Sequence, residues 1–169
     1  MSQPKTLKDL NLYVEGHGFA GKVTELTLPK LTRKTEDYHA GGMGAPIDMD
    51  MGLEKLTASF TLTEFNDTVL RQWGVTSRNG ISIRFKGSLG AGRDRAEVPV
   101  EVALRGTWNE LDWDTWKPGE LATLKVSIAV LYYKYTQNSQ VVFEIDPVNG
   151  IEIVNGVDLL AQRRKNLGL

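Results

Sequence analysis

The 169-residue sequence predicts a mainly β fold, a sandwich or barrel-like domain flanked by a short helix and closed by a C-terminal helix. Three observations carry this prediction. Apolar residues recur at every second position over much of the chain, Asn-Gly pairs separate the alternating runs, and helical spacing is confined to two short stretches. The length suits one domain spanning residues 1–169.

The first elements form a hairpin. Residues 10–14 read as a strand and residues 23–28, alternating and ended by Pro29, as a second. Gly16-His17-Gly18-Phe19-Ala20-Gly21 between them matches the GxGxxG pattern of dinucleotide-binding proteins. That chemistry needs a helix next, whose N-terminus holds a pyrophosphate. A strand follows instead, so the glycines serve a turn. Residues 39–50, with Gly41, Gly42, Gly44 and Pro46, read as a flexible loop poor in core residues.

Leu56, Ala58, Phe60 and Leu62 then occupy one face of a half-buried strand, opposite Lys55, Thr57, Ser59, Thr61 and Thr63. Asn66 caps a short amphipathic helix carrying Val69, Leu70 and Trp73, which Gly74 stops. Ile81, Ile83 and Phe85 alternate with Ser82, Arg84 and Lys86, and residues 87–92 read as a glycine-rich hairpin tip. Val98, Val100, Val102 and Leu104 alternate with Glu97, Glu101 and Arg105, where Pro99 suits an edge or a bulge. In residues 121–135 both faces turn apolar: Leu124, Val126, Ile128, Val130 and Tyr132 share one side, Ala129, Leu131, Tyr133 and Tyr135 the other. Residues 141–146 and 151–154 form a hairpin about Pro147-Val148-Asn149-Gly150. Asp158 is placed to cap a helix over residues 159–167, with Arg163, Arg164 and Lys165 near its C-terminus and Gly168 as its stop.

Composition excludes several classes of function. A net charge of −1 argues against a dedicated nucleic-acid binder, because lysine and arginine supply most affinity for phosphates. Without cysteine there is neither a disulfide framework nor a thiolate metal site. The first twelve residues carry Lys5, Lys8 and Asp9 and lack an apolar run, so no signal peptide is expected. No stretch approaches the roughly 18 apolar residues of a membrane span. These features predict a soluble chain made in a cytoplasm, with no membrane binding.

No catalytic or cofactor constellation emerges. Asp48-Met49-Asp50-Met51-Gly52 resembles the opening of a calcium loop, but Gly52 stands where a side-chain ligand is needed and Ser59 where a bidentate glutamate closes the loop. Residues 87–92 lack the Lys-Ser/Thr pair of a phosphate loop. His17 and His39 each lie in a glycine-rich segment without partners at useful spacing. Trp108, Trp113 and Trp116, with Tyr132, Tyr133 and Tyr135, suit core or subunit packing better than sugar stacking. The expectation is a protein that is not an enzyme and takes no cofactor or metal.

Collinear blocks along the chain resemble the major tail tube proteins of contractile-tailed phages, and the related tubes of R-type bacteriocins. They are Leu28-Pro29-Lys30-Leu31, Lys34-Thr35-Glu36, Ala40-Gly41-Gly42-Met43, Ala45-Pro46, Asp50-Met51-Gly52-Leu53-Glu54, Leu104-Arg105-Gly106, Trp116-Lys117-Pro118-Gly119-Glu120 and Tyr132-Tyr133-Lys134. Glu144-Ile145-Asp146-Pro147-Val148-Asn149-Gly150, Asn155-Gly156-Val157-Asp158 and Asn166-Leu167-Gly168-Leu169 complete the set. The match is weakest over residues 67–95.

The resemblance implies subunits that form six-fold rings, stacked into a hollow tube whose inner sheets close into one barrel. It implies a contractile sheath outside the tube, a tape-measure protein within until double-stranded DNA passes, and baseplate and tail terminator proteins at the ends. The place implied is the virion tail, assembled in the bacterial host cytoplasm. The alternatives are the tube of a DNA-free bacteriocin-like particle and, more distantly, a carbohydrate-binding β-sandwich.

Two sets of residues are candidates for assembly. Thr57, Ser59, Thr61, Glu97, Glu101, Lys125 and Ser127, from the polar faces of the strands, are the candidate lumen surface. Tyr38, Gly41, Gly42, Met43, Pro46, Asp48, Asp50 and Gly52 belong to a segment, residues 38–52, too poor in apolar content to pack alone and expected to order against an adjacent ring. Four strands from each of six subunits, about 4.8 Å apart and tilted about 40°, would close with a diameter near ~48 Å. Side chains of about 5 Å per wall leave ~38 Å, enough for hydrated duplex DNA.

Overall fold

The computed structural model describes residues 3–93 and 95–169. In chain order these form β1 (Lys5–Val14), β2 (His17–Gly18), β3 (Val23–Thr27), β4 (Arg33–Tyr38), β5 (Ile47–Leu53) and β6 (Thr57–Leu62). Helix α1 (Asp67–Arg71) and a 3-10 turn (Gln72–Gly74) follow. Then come β7 (Ile81–Ala91), β8 (Glu97–Trp113), β9 (Leu124–Gln137), β10 (Gln140–Asp146), β11 (Ile151–Val154), β12 (Val157–Asp158) and α2 (Ala161–Leu167).

Ten strands make one antiparallel sheet in the order β12-β11-β10-β9-β8-β7-β1-β2, with β3 paired to β6 and β6 to β9. Strand β9 is the organiser. Its whole length pairs with β8, while its other edge is shared: β6 takes Leu124 to Ala129 and β10 takes Tyr133 to Gln137. Beyond β7, strand β1 packs against β3. Backbone hydrogen bonds from Phe19 N to Leu12 O and from Thr63 N to Lys22 O stitch that side together. The sheet therefore wraps around its own core.

Alternation dictates the filling of that core. Leu56, Ala58, Phe60 and Leu62 face Ile81, Ile83, Phe85, Val102, Leu104, Leu124, Val126 and Ile128, all buried as expected. Each fully buried aliphatic or aromatic side chain contributes about 1.5–3 kcal/mol. Phe60 meets Trp108 edge-on at 5.7 Å, and Trp108 donates its indole N–H to the Val69 carbonyl at 2.7 Å, which fixes α1 over one end of the core.

The turns follow their residues. Glu15-Gly16, Asn138-Ser139 and Asn155-Gly156 all have positive φ and join strands through two-residue turns. That geometry suits the right-handed twist of hairpins. The GxGxxG segment is thus a hairpin turn leading to β3, with no helix behind it. Pro99 lies just past Gln137, the last β9 residue on the β8 ladder, and its carbonyl accepts the Asn138 N–H. The proline thus sits where the β8–β9 ladder has ended, so its missing N–H interrupts no bond of that ladder.

Four local expectations are corrected. Tyr132 does not share the face of Val130, because the β8–β9 register shifts between Arg105/Tyr132 and Gly106/Val130. Leu131 is the extra residue of a bulge, and beyond it Tyr133 and Tyr135 turn towards the core. Residues 87–91 are no hairpin tip; they continue β7, pairing with β1 as far as Ala91 and with β8 as far as Gly90. Their small residues allow this, since a Cβ on Gly87 would meet Leu7 at 2.8 Å. Helix α2 begins at Ala161, and Asp158 belongs to β12. Finally, residues 47–50 are strand, with consequences for the assembly surfaces.

Candidate functional site

Among the described residues no group of three or more His, Cys, Asp or Glu could hold a metal ion. The surfaces that stand out are a polar sheet face, a projecting arm and an apolar groove.

The polar face comes from the strand pattern. Antiparallel partners share a side of the sheet. The pairs Ser59–Ser127 and Thr61–Lys125, then Glu110–Ser127 and Asp112–Lys125, extend one outward surface across β6, β9 and β8. Following that side along β8, through the bulge at Asn109, leads to Arg105, Glu101 and Glu97, which face Ser82, Lys86 and Gly90 on β7. All seven candidate lumen residues, Thr57, Ser59, Thr61, Glu97, Glu101, Lys125 and Ser127, therefore share one face, and none is buried.

Its charge is mixed. Arg84 pairs with Glu101 at 3.3 Å, and Ser88 donates to Glu97. Where the bulge turns Tyr132 outwards, the Arg105 guanidinium lies 4.3 Å from its ring centre and its hydroxyl donates to Glu144 at 2.7 Å. Burial first, then the Glu144 carboxylate, pushes the Tyr132 phenol well above its ordinary value. On the core side, burial with Tyr135 nearby pushes Tyr133 up to about 12.

The arm is the two-stranded sheet β4–β5, paired from Arg33–Leu53 at its base to Tyr38–Ile47 near its tip. Tyr38, Asp48, Asp50 and Gly52 thus lie in strands, whereas Gly41, Gly42, Met43 and Pro46 form the connecting tip. The structure brings the predicted segment together, but as a hairpin and not a loose loop. Sequence reasoning missed β4, Arg33–Tyr38, whose only apolar residue is Tyr38. It also missed the stripe of Ile47, Met49 and Met51, which alternate on β5 and share a face with Tyr38. These four side chains are about half exposed. Alternating Ile-Asp-Met-Asp-Met was the available signal.

Among the described residues, a side-chain ion pair ties the arm to the rest of the subunit at its root. Arg33 makes a two-pronged contact with Glu152 of β11, one prong at 3.3 Å, and also reaches Asp50 at 3.8 Å. The Glu152 side chain is 7% exposed. Glu54 N donates to Thr32 O beside it.

Next to this root lies the groove, an open hollow of about 1060 Å³ between the arm base, the β10–β11 turn and α2. Leu56, Val130 and Ile145 form its floor, and Val148, Leu160 and Leu167 its walls. Asp158 holds α2 in place: it accepts the Leu160 N–H and pairs with Arg164, which also donates to Gly150 O at 2.8 Å. The Arg164 contact keeps the Asp158 carboxyl below its usual range, and Lys22, with Asn66, does the same for Glu64.

Comparison with known proteins fits this architecture. Residues 4–168 match the family model of the phage tail tube protein FII. The tail tube protein of Escherichia phage P2 is 38% identical over 172 aligned positions, covering 100% of both chains. The major tail tube protein of Serratia phage KSP20 is 33% identical, over 96% of this chain and 95% of its own. Two solved assemblies contain a chain of the same fold. One is the sheath–tube complex of the PVC extracellular contractile injection system in its extended state (TM-score 0.56, 11% identity, 75% of this chain and 87% of that one). The other is the six-fold symmetrised baseplate of the anti-feeding prophage (TM-score 0.53, 10% identity, 75% and 90%). The chain belongs to the phage tail tube protein FII family, the structural tube subunits of contractile phage-like tails.

Proposed function

We propose that this chain assembles into hexameric rings that stack as the inner tube of a contractile phage tail, its lumen conducting double-stranded DNA into the host. One observation carries the lumen assignment: a continuous face of one sheet gathers Thr57, Ser59, Thr61, Glu97, Glu101, Lys125 and Ser127 with carboxylates and cations interleaved. A conduit needs such a surface, since a basic stripe would hold each passing phosphate by counterion release.

Free strand borders support closure between copies. Among the described residues, the Lys5 to Leu10 stretch of β1 has no ladder partner on its outer side, nor has β3 beyond β6. Unpaired borders of this kind template association unless a neighbour completes them. Joining them around a ring gives one barrel without edges. The arm, residues 33–53, is the candidate contact between rings. A sheath surrounds the tube, a tape-measure protein fills it during assembly in the host cytoplasm, and baseplate and terminator proteins cap its ends. The complete tube belongs to the virion.

Negative-stain imaging of the purified protein tests the assembly directly: rings or tubes are expected, and monodisperse monomers at high concentration would refute it. Removal of residues 38–52 should leave folded subunits that do not polymerise; tubes of normal length after that deletion would sink the arm's role. A lumen found uniformly basic in an assembled tube would sink the passive conduit.

A further inference from the structure

Resting on the tube reading, the geometry points to a receptor for the arm: we propose that its apolar stripe docks in the groove beside α2 of a neighbouring copy of this same chain.

The two surfaces match in chemistry. The arm presents Tyr38, Ile47, Met49 and Met51 on one face, each about half exposed. The groove presents an apolar floor and, on its walls, Val148 and Leu167, 55% and 67% exposed. Its volume of about 1060 Å³ accommodates several large side chains. Methionines suit such a site, because their flexible thioethers fill irregular gaps.

They also match in charge. Glu36 shares the stripe's face, opposite Met49, while Asp37 and Asp48 lie on the arm's other face, and from Thr35 to Met49 the arm has no lysine or arginine. Helix α2 carries Arg163, Arg164 and Lys165 with no acid, and Lys55 stands on the groove's other rim. Arg164 is committed to Asp158, but Lys55, Arg163 and Lys165 have no ion pair among the described residues. Of the acids lining the groove, Asp50 and Glu152 already meet Arg33, which leaves Glu54 as the opposing charge.

A chain cannot fill its own groove with its own stripe. Arg33 and Leu53, at the arm's root, line the groove, whereas Tyr38, Ile47, Met49 and Met51 do not. The ladder between β4 and β5 holds them outward, and the Arg33–Glu152 contact fixes the root. The occupant is therefore a second copy. Because the donor and acceptor surfaces differ, the contact is head-to-tail and propagates.

Disulfide trapping tests this, helped by a chain that has no cysteine of its own. Met49→Cys and Leu167→Cys both replace exposed side chains, so the fold tolerates them. On mild oxidation of assembled protein, the double variant should give a ladder of cross-linked multimers, at least ~tenfold more than either single variant. A pairing of Met49→Cys with Leu121→Cys, at the far end of the molecule, should give none. Tubes visible by negative stain without the 49–167 ladder, or with the ladder at 49–121, would overturn the receptor while sparing the tube reading. Wild-type protein that forms no tubes would overturn both. In a second measurement, Lys55→Glu with Arg163→Glu, both on the groove's lining, should raise the concentration needed for assembly roughly tenfold, as attraction becomes repulsion at two sites. An unchanged value would also overturn the proposal.

Discussion

Replacing Arg33 by methionine is the perturbation most tightly bound to the structure. The substitution keeps the aliphatic stem and removes the charge that compensates Glu152, whose side chain is 7% exposed. Stripping one partner from a fully buried ion pair costs about 3–5 kcal/mol, because the other charge is stranded. Arg33 is itself 43% exposed, so water reaches the pair and the cost falls to about 2 kcal/mol. With a urea dependence near ~2 kcal/mol per molar, the unfolding midpoint should drop by about 1 M. Glu152→Gln in the same background should recover at least ~1 kcal/mol, because the stranded charge is gone. Equilibrium urea unfolding of the dissociated subunit, followed by tryptophan fluorescence, reads the wild type and both variants. A midpoint for Arg33→Met within about 0.2 M of wild type would refute the reasoning. The same variant should assemble poorly in conditions where it stays folded, since the root of the arm is no longer fixed.

Gly106→Ala should destabilise by about 3 kcal/mol, at the upper end for overpacking: its Cβ would lie 2.4 Å from the Ala129 carbonyl oxygen, a backbone atom that cannot swing away. A fall in melting temperature of less than ~3 °C would contradict this. Trp108→Phe removes the N–H donated to Val69 O and leaves a gap beside Phe60, so a loss of about 2 kcal/mol is expected in urea. Asp158 and Glu64 both titrate lower in the fold than in the unfolded chain, from reference values of 3.8 and 4.5. Their stabilisation is therefore present above those reference values and lost as pH falls through the lower folded ones. Urea midpoints measured from pH 5 to pH 2 should decline, and Asp158→Asn should flatten that decline; an equal slope in the variant would count against the assignment.

The strands were legible wherever one face is buried. Leu56 to Leu62, Ile81 to Phe85 and Val98 to Leu104 alternate in sequence and do so in space, because a wet face and a dry face impose period two. The arm was half legible. It has no dry face within the subunit, so β4 lacks the apolar alternation that marks a strand, and only the glycine-rich tip was conspicuous. The bulge at Leu131 was hidden for a different reason: a run apolar on both sides carries no parity signal, so nothing in residues 124–135 reveals a skipped partner. Asp158 reads as a cap because its side chain does accept the Leu160 N–H, but the chain spends two more residues leaving β12 before it coils. Parity within each strand gave the polar side of the seven residues, whereas their union on one face follows from the ladders between β6, β9 and β8, which strand periodicity does not carry.

The extra residue at position 131 sits where the edge of β9 passes from β6 to β10, after Ala129 and before Tyr133. A bulge bends its strand and sharpens the local twist. Excising Leu131 would leave Val130 opposite Gly106 and Tyr132 opposite Arg105, every side chain on its present side, yet the strand would run straighter. The angle between the body of the subunit and its C-terminal hairpin is thus adjustable by one residue, independently of what the interior contains. Tubes of different pitch or girth could arise from such a hinge with the hydrophobic interior untouched.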